Sequence, residues 1–144
     1  MSIANRLADA RYLWKAGRVE GAFLNVLVAT AAAARTVFPD EKSDRRAFEL
    51  FVASTSRAKV AVEFRGQLHS IEHILYVWLR CELVHDGTIP LDIELVPDDD
   101  HDKLWVRAGG APDYVLKLSY GWFHHLFRAV TVAIASASSL PLDS

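Results

Sequence analysis

Gln67-Leu68-His69-Ser70-Ile71-Glu72-His73-Ile74-Leu75-Tyr76-Val77-Trp78-Leu79-Arg80-Cys81-Glu82-Leu83-Val84-His85-Asp86-Gly87 decides the fold, because its apolar residues recur at helical spacing. Leu68, Ile71, Leu75, Trp78 and Leu79 make one stripe, widened by Ile74, and predict a helix over 67–85. Gly87 is a natural stop in the left-handed conformation. At about 100° per residue, His69, His73, Tyr76 and Arg80 form a narrow polar stripe. It lies roughly opposite Ile71, Ile74 and Trp78. His85 follows Arg80 by five residues, so an ideal helix sets them about 140° apart. His85 joins the stripe only if the helix loosens near Gly87, or if a second copy packs alongside.

Upstream, residues 3–16 read as a helix carrying Ile3, Leu7, Trp14 and either Tyr12 or Leu13, and Gly17 interrupts it. Residues 18–37 read as a more buried helix, with Phe23, Leu24, Leu27 and Val28 and the small residues Ala31 to Ala34 permitting close packing; Pro39 ends it. Residues 43–54 predict a third helix, with Ser43 as N-cap and Ala47, Phe48, Leu50 and Phe51 on its buried side. Val60, Val62 and Phe64 alternate like a strand, but the stretch 55–66 is read as irregular or helical.

Downstream the period changes to two. Residues 91–95, 103–107 and 114–118 predict an antiparallel sheet of two or three strands, with Ile93, Leu95, Trp105 and Val106 packing and the acidic tip at 98–102 exposed. Residues 120–136 return to helix, with Phe123, Phe127, Val130 and Ile134 on one face. The end, 138–144, reads as a loose tail. The expectation is a mainly α helical bundle, a single domain over 1–144 with a β insertion at 89–118.

The 144 residues are 51% hydrophobic, with seven Phe, four Trp and four Tyr to anchor a core. The lone Cys81 permits no internal disulfide and suits a reducing compartment. The N-terminal stretch carries charges throughout and is not read as a signal peptide. No run of 18 apolar residues exists, so no membrane span is expected and a cytoplasmic location is. The net charge of −2 conceals an asymmetry: residues 82–102 hold eight acids and no Lys or Arg. The remainder carries all 16 bases against ten acids, a balance of +6 compatible with a nucleic-acid partner on part of the surface.

Arg80 and His85 are the candidate catalytic pair. A guanidinium is permanently charged and forks onto two phosphate oxygens. An imidazole is base or acid at neutral pH. Together they suffice for metal-free RNA cleavage, in which the ribose 2′-hydroxyl attacks the adjacent phosphate. The alternative is structural: Arg80 paired with Glu82 or Asp86, and His85 satisfying helix carbonyls. His69, His73, Tyr76 and Glu82 would supply a supporting polar face. His69 and His73 have the spacing of two metal ligands, but no third ligand is evident, and no metal is expected. His101 among Asp98, Asp99, Asp100 and Asp102 reads as a solvated turn. Of His124 and His125, one is expected to face solvent and the other an interface. Gly109-Gly110 lacks the rest of a phosphate loop, and no cofactor is expected. Cys81 reads as a buried thiol.

The segment from Leu75 to Gly87, with Arg80-Cys81-Glu82-Leu83-Val84-His85 at its centre, resembles the signature helix of HEPN domains: Arg, four to six residues, then His, late in a helix of an all-α bundle. The resemblance implies a four- or five-helix bundle that dimerises through its signature helices and builds one composite cleft. It implies a metal-independent endoribonuclease, a toxin or defence effector, with an RNA substrate and an antitoxin or nucleotidyltransferase-like partner. It assigns phosphate binding to Arg80 and proton transfer to His85. Some members are instead non-catalytic binding modules. Cys81 stands where the family often carries Asn, Asp or His, and the β insertion is foreign to the minimal bundle.

Overall fold

The computed structural model describes residues 2–57, 59–100 and 103–138. Helix α1 (Ile3–Lys15) starts at Ser2, whose hydroxyl accepts from the Asn5 amide, and Gly17 at φ 77° separates it from α2 (Val19–Val37). Helix α2 is the centre of the fold: α1, α3 (Asp44–Ser54), the last helix and the helix carrying Arg80 all touch it. Its position explains its composition. Ala22, Phe23, Val26, Leu27, Ala29, Ala33 and Ala34 are buried, and the small residues let neighbouring backbones approach. Buried Thr30 donates to the Val26 carbonyl at 2.6 Å, so no polar group is stranded there. Ser43 caps α3 as expected, accepting from the Arg46 amide.

The stretch after α3 differs from expectation. Strands β1 (Ala61–Phe64) and β2 (Gln67–Ser70) form an antiparallel hairpin that pairs Val62 with His69 and Phe64 with Gln67. Arg65 (φ 52°) and Gly66 (φ 80°) make its two-residue turn. Both central residues at positive φ give the twist that hairpins favour. The helix therefore begins four residues later than its apolar pattern suggests. Leu68 lies on the hairpin and is exposed rather than part of the buried stripe, and His69 is a strand residue.

Ser70 caps the new start, accepting from the His73 amide at 3.2 Å. One continuous helix follows: α4 (Ile71–His73), a π-helical segment (Ile74–Arg80) and α5 (Cys81–Asp86). Ile71, Ile74, Leu75, Leu79 and Leu83 are its buried edge. Gly87 closes it at φ 76°, its amide donating to the Leu83 carbonyl, as the left-handed stop requires.

The insertion is a mixed sheet, not an antiparallel one. Strands β3 (Ile93–Val96), β4 (Val106–Ala108) and β5 (Leu116–Ser119) lie in the order β3-β5-β4. β3 runs parallel to β5, and β4 runs antiparallel to it. The chain from β3 crosses to the far edge before β5 fills the middle. That places the most buried strand, with Leu116, Leu118 and Ser119 buried, between the other two. Ile93 is buried, and Leu95 and Val106 pack against the core. Trp105 is half-buried; its indole N–H donates to Asp98, which is consequently half-buried rather than exposed. Asp99 and Asp100 are exposed; His101 and Asp102 lie outside the described residues. A bidentate pair from Arg65 to Asp92, at 2.8 and 2.9 Å, ties the first hairpin to this sheet.

Helix α6 (Gly121–Ser138) completes the fold, burying Trp122, Phe123, Leu126 and Val130, with Phe127 and Ile134 half-buried. Trp14 of α1 stacks on Phe123 at 4.3 Å. Neither His124 nor His125 faces solvent. Both are half-buried, His124 edge-on to Trp14 and His125 bonded through Nε2 to the Thr55 hydroxyl at 2.9 Å. The tail residues 139–144 lie outside the described residues. The protein is mainly α with two small sheets, and no described helix is long and apolar enough to cross a membrane.

Candidate active site

The π-helical segment reorganises the polar stripe. Its amides bond back five residues, as from Cys81 to the Tyr76 carbonyl, so residues five apart tend to share a face. His73 and Trp78 do so, with ring centroids 5.3 Å apart. His69, brought in by the hairpin, stacks parallel on His73 at 5.1 Å and meets Trp78 edge-on at 4.6 Å. Trp78 therefore sits with the two histidines and not opposite them. His73 Nδ1 lies 3.1 Å from Glu49 Oε1 on α3, and Arg45 reaches the same carboxylate at 3.6 Å. Burial, and then the neighbouring His73, push the His69 imidazole below its ordinary pKa. The histidine pair thus joins hairpin, helix and α3. No group of three His, Cys, Asp or Glu side chains converges for a metal among the described residues.

Tyr76 and Arg80 leave that cluster and form their own. The Tyr76 ring tilts against buried Phe48 at 5.1 Å, and burial pushes its phenol above the ordinary value. The Arg80 guanidinium lies over the Tyr76 ring, its carbon 5.2 Å from the ring centre. Arg80 is half-buried and forms no ion pair with a described residue, and its Nε is buried without a hydrogen-bond partner. The structural alternative for Arg80, a salt bridge to Glu82 or Asp86, is not what the helix adopts. The Glu82 carboxyl is raised above its ordinary pKa, chiefly by the hydrogen bond its protonated form can make with Asp86 and then by burial; Arg65 and His85 pull it the opposite way.

His85 is exposed in the last turn and makes no hydrogen bond or ion pair with a described residue. Past the π-helical segment, Cys81 to Asp86 is α-helix, and at α-helical geometry Arg80 and His85 are separated by about 140° and about 7.5 Å along the axis. The helix does not loosen near Gly87, one of the two conditions for His85 to join the stripe. One chain therefore presents the charge and the proton carrier on different sides of one helix. Between them runs an apolar strip, half-buried Val77 and Cys81 and exposed Val84. Of the insertion's acids, Asp92 is paired with Arg65, which itself lies over Trp78 of this helix, and Asp98 accepts from Trp105.

Sequence reading missed Phe48, Glu49 and Arg65 as neighbours of this helix. Glu49 and Phe48 sit side by side on α3 and meet His73 and Tyr76 only through packing. Arg65 had a local signal, the alternation before Arg65-Gly66, without the Asn or Asp that marks such turns most clearly. No protein-family model matches this chain, and no significant match to it is found among curated proteins or solved structures.

Proposed function

We propose that the protein is a metal-independent endoribonuclease of HEPN type, acting through Arg80 and His85. A single observation carries the reading: a half-buried guanidinium that pairs with no carboxylate among the described residues. A guanidinium whose terminal N–H groups no carboxylate occupies can fork onto two phosphate oxygens. In the proposed reaction the ribose 2′-oxygen bonds to phosphorus while a proton leaves it, His85 handling proton transfer. The 5′-oxygen departs as a protonated hydroxyl, leaving a 2′,3′-cyclic phosphate. Arg80 stabilises the charge gathered on the phosphoryl oxygens.

The separation of Arg80 from His85 favours a homodimer. Two antiparallel copies meeting through Val77, Cys81 and Val84 would set the Arg80 of one beside the His85 of the other. A toxin or defence role, with an antitoxin or nucleotidyltransferase-like partner, belongs to the same reading.

The second reading is a non-catalytic HEPN-like binding module. Cys81, half-buried in place of a polar residue, and the Glu82–Asp86 acid pair beside His85 favour it. Incubating the protein with varied RNAs in EDTA tests the choice. Cleavage leaving 2′,3′-cyclic ends is expected; intact RNA throughout would favour the module.

A further inference from the structure

An arginine that binds phosphate faces two opposing demands. Its long stem must be held, because ordering it at the moment of binding costs affinity. Its donors must stay open, because they do the binding. A carboxylate holds the stem but occupies the donors and cancels the charge. An aromatic face holds the guanidinium plane and takes up no N–H.

Resting on the reading of Arg80 as a phosphate ligand, we propose that Tyr76 is its positioning residue, holding the guanidinium by ring contact so that its donors stay open to an RNA phosphodiester. The guanidinium carbon lies 5.2 Å from the Tyr76 ring centre. The ring does not swing freely, since Phe48, 0% exposed, packs on it at 5.1 Å. The terminal N–H groups of Arg80 make no hydrogen bond or ion pair with a described residue, so the ring contact holds the group without occupying them. Both residues lie in the π-helical segment, where the Tyr76 carbonyl bonds the Cys81 amide. The Tyr76 phenol, neutral at physiological pH like any tyrosine and pushed higher still by burial, adds no negative charge to compete with phosphate. The buried core is thereby connected to the phosphate ligand through Phe48, Tyr76 and Arg80 in sequence.

The test uses the full chain and a 2′-O-methyl dinucleotide, which cannot be cleaved because its attacking hydroxyl is capped. Its affinity is measured for wild type, Tyr76→Phe, Tyr76→Leu and Arg80→Gln. A further variant carries pentafluorophenylalanine at position 76, which keeps the ring's shape and reverses its charge distribution, so it answers if Tyr76→Leu fails to fold. Tyr76→Phe should retain affinity. Tyr76→Leu and the pentafluoro variant should each lose about 3- to 10-fold. In arginine-labelled protein the Arg80 Nε–H resonance should show the ring's shift in wild type and Tyr76→Phe and lose it in Tyr76→Leu. Wild-type affinity in Tyr76→Leu and in the pentafluoro variant, with loss only in Arg80→Gln, would overturn the role of Tyr76 and leave Arg80 as phosphate ligand. Undiminished affinity in Arg80→Gln would overturn the phosphate reading and the proposal with it.

Discussion

Asp86, one helical turn ahead of Glu82, raises the Glu82 carboxyl above its ordinary pKa, while the Arg80 guanidinium pairs with no carboxylate among the described residues. Glu82 and Asp86 thus set two like charges beside His85. Their charge opposes an approaching phosphate without neutralising its ligand. Glu82→Gln should therefore tighten RNA binding by about 2- to 5-fold at low salt, with the gain fading as salt screens it. Fluorescence anisotropy with labelled RNA reads this. Weaker binding in Glu82→Gln would mean that the carboxyl itself contacts substrate.

The apolar strip on the same helix bears on assembly. Light scattering at micromolar concentration should give about twice the 16.1 kDa chain mass. Val84, 45% exposed, sits at the end of that strip, and Val84→Arg should yield monomers that still fold. A wild-type monomer would remove the composite cleft.

Burial, and then Arg128, hold the His125 imidazole below its ordinary pKa, and His69 is displaced the same way. The unfolded chain then takes up protons at higher pH than the folded one. Stability is full above the unfolded value near 6.5 and falls as pH drops from there toward the folded values. His125→Gln keeps an N–H donor for Thr55 and should flatten part of this decline. Thermal melts between about pH 7.5 and pH 5 read it. An unchanged slope would show that His125 is not a source of it.

Arg65 and Asp92 join hairpin and sheet by two short hydrogen bonds, yet both side chains are partly exposed, 48% and 32%. Arg65→Ala should cost only about 0.5–1 kcal/mol. The Asp92 carboxyl is held below its ordinary value chiefly by its hydrogen bond to Arg65. The pair's contribution is present above the unfolded aspartate value and is lost as pH falls through the folded one. Denaturant titration at neutral and acid pH should find the wild-type advantage over Arg65→Ala only at the former.

Local chemistry made much of this fold legible before any coordinates. Ser43, Gly17 and Gly87 mark helix ends through backbone physics alone. The helices of α1, α2 and α3 follow from apolar spacing. What stayed hidden depends on partners distant in sequence. The apolar period runs through Leu68 without a break, and only pairing of Val62 with His69 turns that stretch into a strand. The parallel pairing of β3 with β5 likewise has no local mark, since alternation looks the same in either direction. At the candidate site, Arg80 and His85 were legible as a pair of residue types. Their separation around the helix was legible as well, from the spacing. The Tyr76 and Phe48 support was not, because a π-helical register and a packing contact with α3 produce it.

RNA cleavage under single-turnover conditions in EDTA tests the Arg80–His85 chemistry most directly, with wild type, Arg80→Ala, His85→Ala and an equal mixture of the two variants. Arg80→Ala should slow cleavage by about 10²- to 10³-fold, by analogy with a lost oxyanion donor. His85→Ala should slow it by about 10²- to 10⁴-fold through lost proton transfer. The mixture should regain activity, because mixed dimers retain one intact Arg80 beside one intact His85. Equal cleavage by all four samples, or none by wild type on any RNA, would contradict a ribonuclease built on these two residues.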